Sequence, residues 1–145
     1  MSTFQGILLV ASGHPEYTQV NGSSVTVTPA TLPFPRAILG VYARLSTSAV
    51  VGNRQLVVNI LDTASGLYLA RLVNGITQAA SLSNRQYTFA PGLADAVAFR
   101  ATSYGTTPLP SDLYIPPTGI QILVSDLAAI DTTGDSLAVS VRFGY

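Results

Sequence analysis

The residues of this chain that could do chemistry are few and widely spaced. His14 is the single histidine, so a Ser-His-Asp relay would have to use it as the base. It stands between Gly13 and Pro15 in turn-forming sequence, and no Gly-x-Ser-x-Gly nucleophile elbow accompanies it. A loop histidine is the better reading. A zinc centre is equally poor, with no cysteine and no second histidine. Asp126, Asp131 and Asp135 form the densest acidic group, and oxygen-rich loops bind calcium. Their spacing does not match an EF-hand, and Ile130-Asp-Thr-Thr-Gly-Asp135 is equally good turn chemistry. These three are weak metal candidates, and the sequence assigns neither metal nor cofactor. Glu16 is the only glutamate, and a glycosidase pair built on it has no recognisable second carboxylate. The expectation is a protein that is not an enzyme.

Seven tyrosines and seven arginines remain, residue types that could stack on sugars or bases. The tyrosines are scattered and no basic stripe joins them, so oligomer contacts or core edges explain them better. Lysine is absent, so every basic residue is an arginine. Arginine suits desolvated, bidentate contacts, although a GC-rich genome produces the same bias. Seven basic residues balance seven acidic ones, and no long-range field recruits nucleic acid or an anionic membrane. No apolar run approaches the roughly 20 residues of a spanning helix. Ile7-Leu8-Leu9-Val10-Ala11 is too short for that and has no basic stretch before it to mark a secretory signal. So apolar a chain with so little charge is expected to hide surface in an oligomer or larger assembly.

The elements that must position these residues read as strands. Leu56, Val58 and Ile60 alternate with Gln55, Val57 and Asn59, the period of a strand with one buried face. Asp62 to Gly66 supplies turn residues, and Leu67 to Leu72 resumes the alternation, which makes a hairpin entered through a Gly52-Asn53-Arg54 corner. Val20-Asn21-Gly22 signals a tight turn before the alternating Ser24 to Thr28. Arg36 to Ser46 is the longest clear strand, with Ala37, Leu39, Val41, Ala43 and Leu45 on one face and Arg36, Ile38, Tyr42 and Arg44 on the other. Further strands are expected at Ser83 to Phe89, around Val97 to Ala101, at Ile120 to Val124 and at Ser136 to Tyr145, with a proline-rich loop from Tyr104 to Pro117. No 3.6-residue period persists for a helix. Eight or nine short strands imply an all-β, antiparallel two-sheet β-sandwich. Periodicity does not choose between jelly-roll and immunoglobulin-like topology, and the Cys–Trp–Cys pattern of true immunoglobulin domains is absent.

The order of segments resembles small jelly-roll virion proteins of tailed bacteriophages, the group that includes head decoration (cement) proteins. The resemblance rests on Arg36-Ala-Ile-Leu-Gly-Val-Tyr-Ala-Arg-Leu45, on Gly52-Asn53-Arg54 opening a strand that ends Ile60-Leu-Asp62, and on Gly66-Leu-Tyr-Leu69. It continues through Tyr87-Thr-Phe-Ala-Pro-Gly92, Leu109-Pro110, Ile115-Pro116-Pro117 and Gly134-Asp135, covering Val25 to Phe143. It implies a jelly roll of about eight strands on a capsid surface, binding the major capsid protein and itself as a homotrimer, with no direct contact to nucleic acid or membrane. The expected organisation is an N-terminal strand or arm over residues 1–24, outside the resemblance and available to join subunits, and one jelly-roll sandwich over 25–145. Expected contact residues are Ile7, Leu8, Leu9 and Val10 in the arm, Ile38, Tyr42 and Arg44 on the outward face, and the corner Asn53 and Arg54. A carbohydrate- or receptor-binding sandwich of a head or tail fibre is the alternative, with an aromatic site near Tyr104 or Tyr114 and calcium at the three aspartates. A head-to-tail connector component is a third.

Overall fold

A computed structural model describes residues 16–29, 35–91, 104–110 and 113–144. Ten strands account for the regular structure of the described residues: β1 (Glu16–Asn21), β2 (Ser24–Val27), β3 (Arg36–Ser46), β4 (Leu56–Asp62), β5 (Tyr68–Val73), β6 (Arg85–Pro91), β7 (Tyr104–Leu109), β8 (Tyr114–Ile115), β9 (Ile120–Asp126) and β10 (Ser136–Gly144). One sheet runs β1-β10-β3-β6-β7, with β8 added beside the start of β3; the other runs β2-β9-β4-β5. Without β7 and β8, the orders β1-β10-β3-β6 and β2-β9-β4-β5 are those of an eight-stranded jelly roll. The sandwich core lies between them, with Val41, Phe89, Val139 and Val141 from the first sheet against Val25, Val58, Ile60 and Ile122 from the second. No helix among the described residues is long and apolar enough to cross a membrane.

The turn at Gly22 forms as the sequence indicates, with φ near +149°, a conformation that glycine adopts without the penalty of a Cβ. The strand before it joins the first sheet. β1 pairs with β10 along its whole length, from Glu16 opposite Val141 to Asn21 opposite Ser136. Residues 16–21 thus form a strand, as one of the two forms expected of the N-terminal segment, and it is paired into the first sheet. Ile7, Leu8, Leu9 and Val10, like His14 and the expected strand around Val97, lie outside the described residues.

Three expectations change with the pairing. Tyr104 to Pro117 was to be loop, yet β7 and β8 form there, and Pro108 is accommodated because β7 is an edge strand. β7 lies parallel to β6, a departure from a wholly antiparallel sandwich. β4 does not have one wet face. Leu56 through Ile60 are all buried, Val57 and Asn59 included, because β4 is interior to its sheet with β9 and β5 on either side.

In β3 the alternation breaks midway. Arg142 pairs with Gly40 but the next residue, Phe143, pairs with Ile38, so Leu39 is an extra residue in the ladder. A bulge of this kind reverses which parity faces inward. Ile38 therefore points into the core beside Val41, Ala43 and Leu45, at 1% exposure, while Leu39 is 42% exposed. Strict alternation places these two residues the wrong way round, and Ile38 is not an outward contact residue. Truncating Ile38 to alanine is expected to cost about 2–4 kcal/mol and Leu39→Ala less than about 1 kcal/mol, read from urea unfolding midpoints.

Candidate functional site

The Gly52-Asn53-Arg54 corner is built around a guanidinium with no exposure to water. Arg54 Nε donates to Asp135 Oδ2 at 2.9 Å and Nη2 donates to Oδ1 at 3.0 Å, a bidentate pair with both side chains fully buried. Nη1 donates to the carbonyls of Val50 and Gly52 at 2.8 and 2.6 Å, and Nη2 also reaches Ser48 Oγ at 3.3 Å. Those bonds use the five N–H donors that arginine has. The Arg54 main chain completes the corner through a two-way bridge to Gln78, each bond 2.8 Å. Arg54 is consequently a structural residue, not a subunit contact, while its neighbour Asn53 is exposed.

The aspartates expected as weak metal candidates are each committed to backbone and hydroxyl donors. Asp135 Oδ1 also accepts the Ser48 N–H at 2.8 Å. Asp131 accepts the Ser48 hydroxyl at 2.6 Å and the amides of Thr133 and Gly134 at 3.2 and 2.8 Å. Those bonds, the Ser48 hydroxyl first, hold its carboxyl down at about 2. Asp126 caps the turn after β9 by accepting from Ala128 and Ile130, and it holds Gln55 N–H at 3.0 Å. Among the described residues no three histidine, cysteine or acidic side chains converge on a point that could hold a metal ion.

The remaining amides are used in the same way. Gln78 donates to the Leu45 and Leu82 carbonyls and accepts the Tyr87 hydroxyl at 2.8 Å, and burial pushes that phenol up to about 12. Asn74 bonds the Thr107 hydroxyl and Ile76 N–H. These polar groups stitch the connection between β5 and β6 onto both sheets.

Two outward surfaces lie apart from this network. On the first sheet, β3 and its neighbours present Tyr42 and Arg44 outwards, as expected, with Gln86 and Thr88 from β6 and Ala138 and Ser140 from β10. On the second, edge strand β5 exposes Tyr68, Leu69 and Val73, continued by Leu67 in the preceding turn. Arg71 lies 5.4 Å over the Tyr68 ring there. The exposure of β5 carries no period-two signal, since a register shift opposite Ile60 and Leu61 turns both Tyr68 and Leu69 outwards. Tyr104 and Tyr114, the residues proposed for an aromatic site, are not neighbours: Tyr114 pairs with Ala37 and Tyr104 with Gln86, near opposite ends of β3. A separate cavity of about 320 Å³ lies beside Tyr114's strand, walled by Arg36, Ile115 and Pro117, with the Arg36 guanidinium 4.7 Å over the Phe143 ring.

Removing Arg54 leaves a buried Asp135 carboxylate without its partner, so Arg54→Ala is expected to cost about 3–5 kcal/mol, whereas a paired Arg54→Met, Asp135→Leu replacement regains most of it. Urea denaturation of the three proteins measures both. Asp131 titrates lower in the folded chain than its ordinary value of 3.8. Its contribution to stability is therefore full above about pH 4 and is lost as pH falls through 2. Melting temperatures across that window are expected to fall less steeply in Asp131→Asn than in the wild-type chain.

No family model matches the sequence, and no curated protein matches it. Solved structures do resemble the fold. A carbohydrate-binding module from glycoside hydrolase family 9 (Cel9A) of Ruminococcus flavefaciens FD-1 is 15% identical with a TM-score of 0.45, over 92% of this chain and 98% of that one. PfGH50B is 13% identical with a TM-score of 0.42 over 90% of this chain, which spans only 22% of PfGH50B. The VP2 subviral particle of infectious bursal disease virus is 16% identical with a TM-score of 0.20, over 92% of this chain and 31% of that one. All three TM-scores lie below 0.5.

Proposed function

We propose that this chain is a structural virion protein, a bacteriophage capsid decoration protein that binds the major capsid protein lattice and itself as a trimer. One observation carries the reading: the unguarded apolar edge of β5. Among the described residues no strand pairs with the outer side of β5. Its sequence Tyr-Leu-Ala-Arg-Leu-Val has neither lysine nor proline to protect the edge, and its one charge, Arg71, lies over the Tyr68 ring. Leu67, Leu69 and Val73 are 68%, 47% and 41% exposed, in a chain with so few charges that this surface has little to keep it solvated. An edge of this kind is suited to accept an extended segment of another chain, with backbone hydrogen bonds for affinity and side chains for register.

The adjoining outer face supports the same use. Val73 lies opposite Val57 and Arg71 opposite Asn59, whose Oδ1 is buried with no hydrogen-bond partner. Each contact is modest, and repetition over a lattice multiplies it. Edge docking leaves the outer face of the opposite sheet, with Tyr42 and Arg44, turned away from the shell.

The test is co-sedimentation with purified capsids beside light scattering of the free protein. The expected results are a trimer that saturates the lattice at high copy number and a Leu69→Lys, Val73→Lys variant that folds normally but binds at least tenfold more weakly. A wild-type protein that stays in the supernatant, or a variant that binds as well as wild type, overturns the reading.

A further inference from the structure

On the far side of the sandwich from β5 lies a depression of about 210 Å³, lined by Tyr42, Arg44, Gln86, Thr88, Ala138 and Ser140. The register of three adjacent strands assembles it. Ser140, Tyr42 and Thr88 lie abreast across β10, β3 and β6, and Ala138, Arg44 and Gln86 form the next row. Arg44 stands between Ala138 and Gln86 in that row, and the short Ala138 side chain gives the surface its depth. Beside it the Tyr42 ring leans back along its own strand over Gly40. A Cβ at residue 40 would stand 2.7 Å from the Tyr42 hydroxyl and 2.9 Å from Cζ, so glycine is what makes room for the ring. Tyr42 remains 37% exposed, with aromatic surface open to a ligand.

The polar groups around this depression differ from those elsewhere in the protein. The side chains of Gln55, Asn74, Gln78 and Arg54 are all spent on internal hydrogen bonds. Those of Tyr42, Arg44, Gln86 and Ser140 make none to the described residues. β3, β6 and β10 contain no carboxylate between them, so the Arg44 charge has no acid on these strands to neutralise it. An aromatic ring beside a guanidinium, an amide and a hydroxyl matches a molecule with an apolar ring face, many hydroxyls and one anionic group.

We infer that this depression binds a carboxylate-bearing pyranose unit of a glycan, which stacks on Tyr42, places its carboxylate on Arg44 and directs its hydroxyls to Gln86 and Ser140. The ring face of a sugar is apolar C–H surface, which an aromatic side chain covers well. Arginine is suited to a carboxylate through its two parallel N–H donors. The inference is independent of capsid docking, because it concerns the opposite sheet and its test uses the free protein.

Isothermal titration with tri-galacturonic acid and with neutral maltotriose examines it directly. The acidic trisaccharide is expected to bind and the neutral one to bind at least tenfold more weakly. Tyr42→Ala and Arg44→Ala should each weaken the acidic trisaccharide tenfold or more, the first by removing the stacking face and the second by removing hydrogen bonds to a charged group. Arg71→Ala, which removes an equal charge from the opposite sheet, should bind as wild type does. All three positions are exposed, and circular dichroism confirms that the variants fold. Absence of binding by the acidic trisaccharide, equal binding of the two sugars, or unchanged affinity in Tyr42→Ala or Arg44→Ala overturns the assignment. A matching loss in Arg71→Ala overturns it as well, because the effect would then be one of net charge.

Discussion

The fold turns on one buried ion pair. Arg54 and Asp135 are 81 residues apart in sequence, and their bidentate contact joins the connection between β3 and β4 to the connection between β9 and β10. The first of these connections carries the chain from one sheet to the other, and so does the second. A charge pair removed from water stabilises a structure only when every remaining donor and acceptor is also matched. Here Ser48 performs much of that matching: its amide bonds Asp135, its hydroxyl bonds Asp131, and its oxygen receives Arg54. The network acts on register and closure more than on net stability, since it defines where two crossovers meet at one end of the sandwich.

That closure decides what the rest of the surface can do. With polar groups at the crossover end engaged in structure, the acidic residues nearby are not available as ligands for metal or as acid–base pairs. What remains outward is a strand edge that is apolar and a sheet face that carries uncommitted donors. The two belong to opposite sheets. The β-sandwich separates them through two outer faces with a shared core. The bulge at Leu39 contributes to the same division. By turning Ile38 inward it leaves Tyr42 and Arg44 as the outward pair on β3, and Gly40 then seats the tyrosine ring.

Much of this fold was legible in the residues themselves. Period-two alternation marked Leu56 to Ile60, Ile120 to Val124 and Ser136 to Phe143 as strands, and Gly22 marked the first hairpin turn. The placement of Tyr42 and Arg44 on an outer face was also correct. These are local properties: backbone geometry and turn chemistry are set within a few residues. Low charge, absent cysteine and a solitary histidine likewise follow from composition, and they bound the chemistry before any pairing is known.

Only the tertiary structure decided the rest, because it depends on residues distant in sequence. Nothing local distinguishes Arg54 as a buried residue from Arg44 as an exposed one; the difference is Asp135, brought opposite by the return of the chain. Ile38 and Leu39 exchange faces because β10 pairs with β3 one residue out of step, a feature that exists only between two strands. Val57 and Asn59 are buried because β4 is interior to its sheet, while the similarly apolar β5 is exposed because it stands at the edge. Alternation therefore determined that this chain forms a sandwich, and non-local register determined which of its side chains became core, staple or open surface.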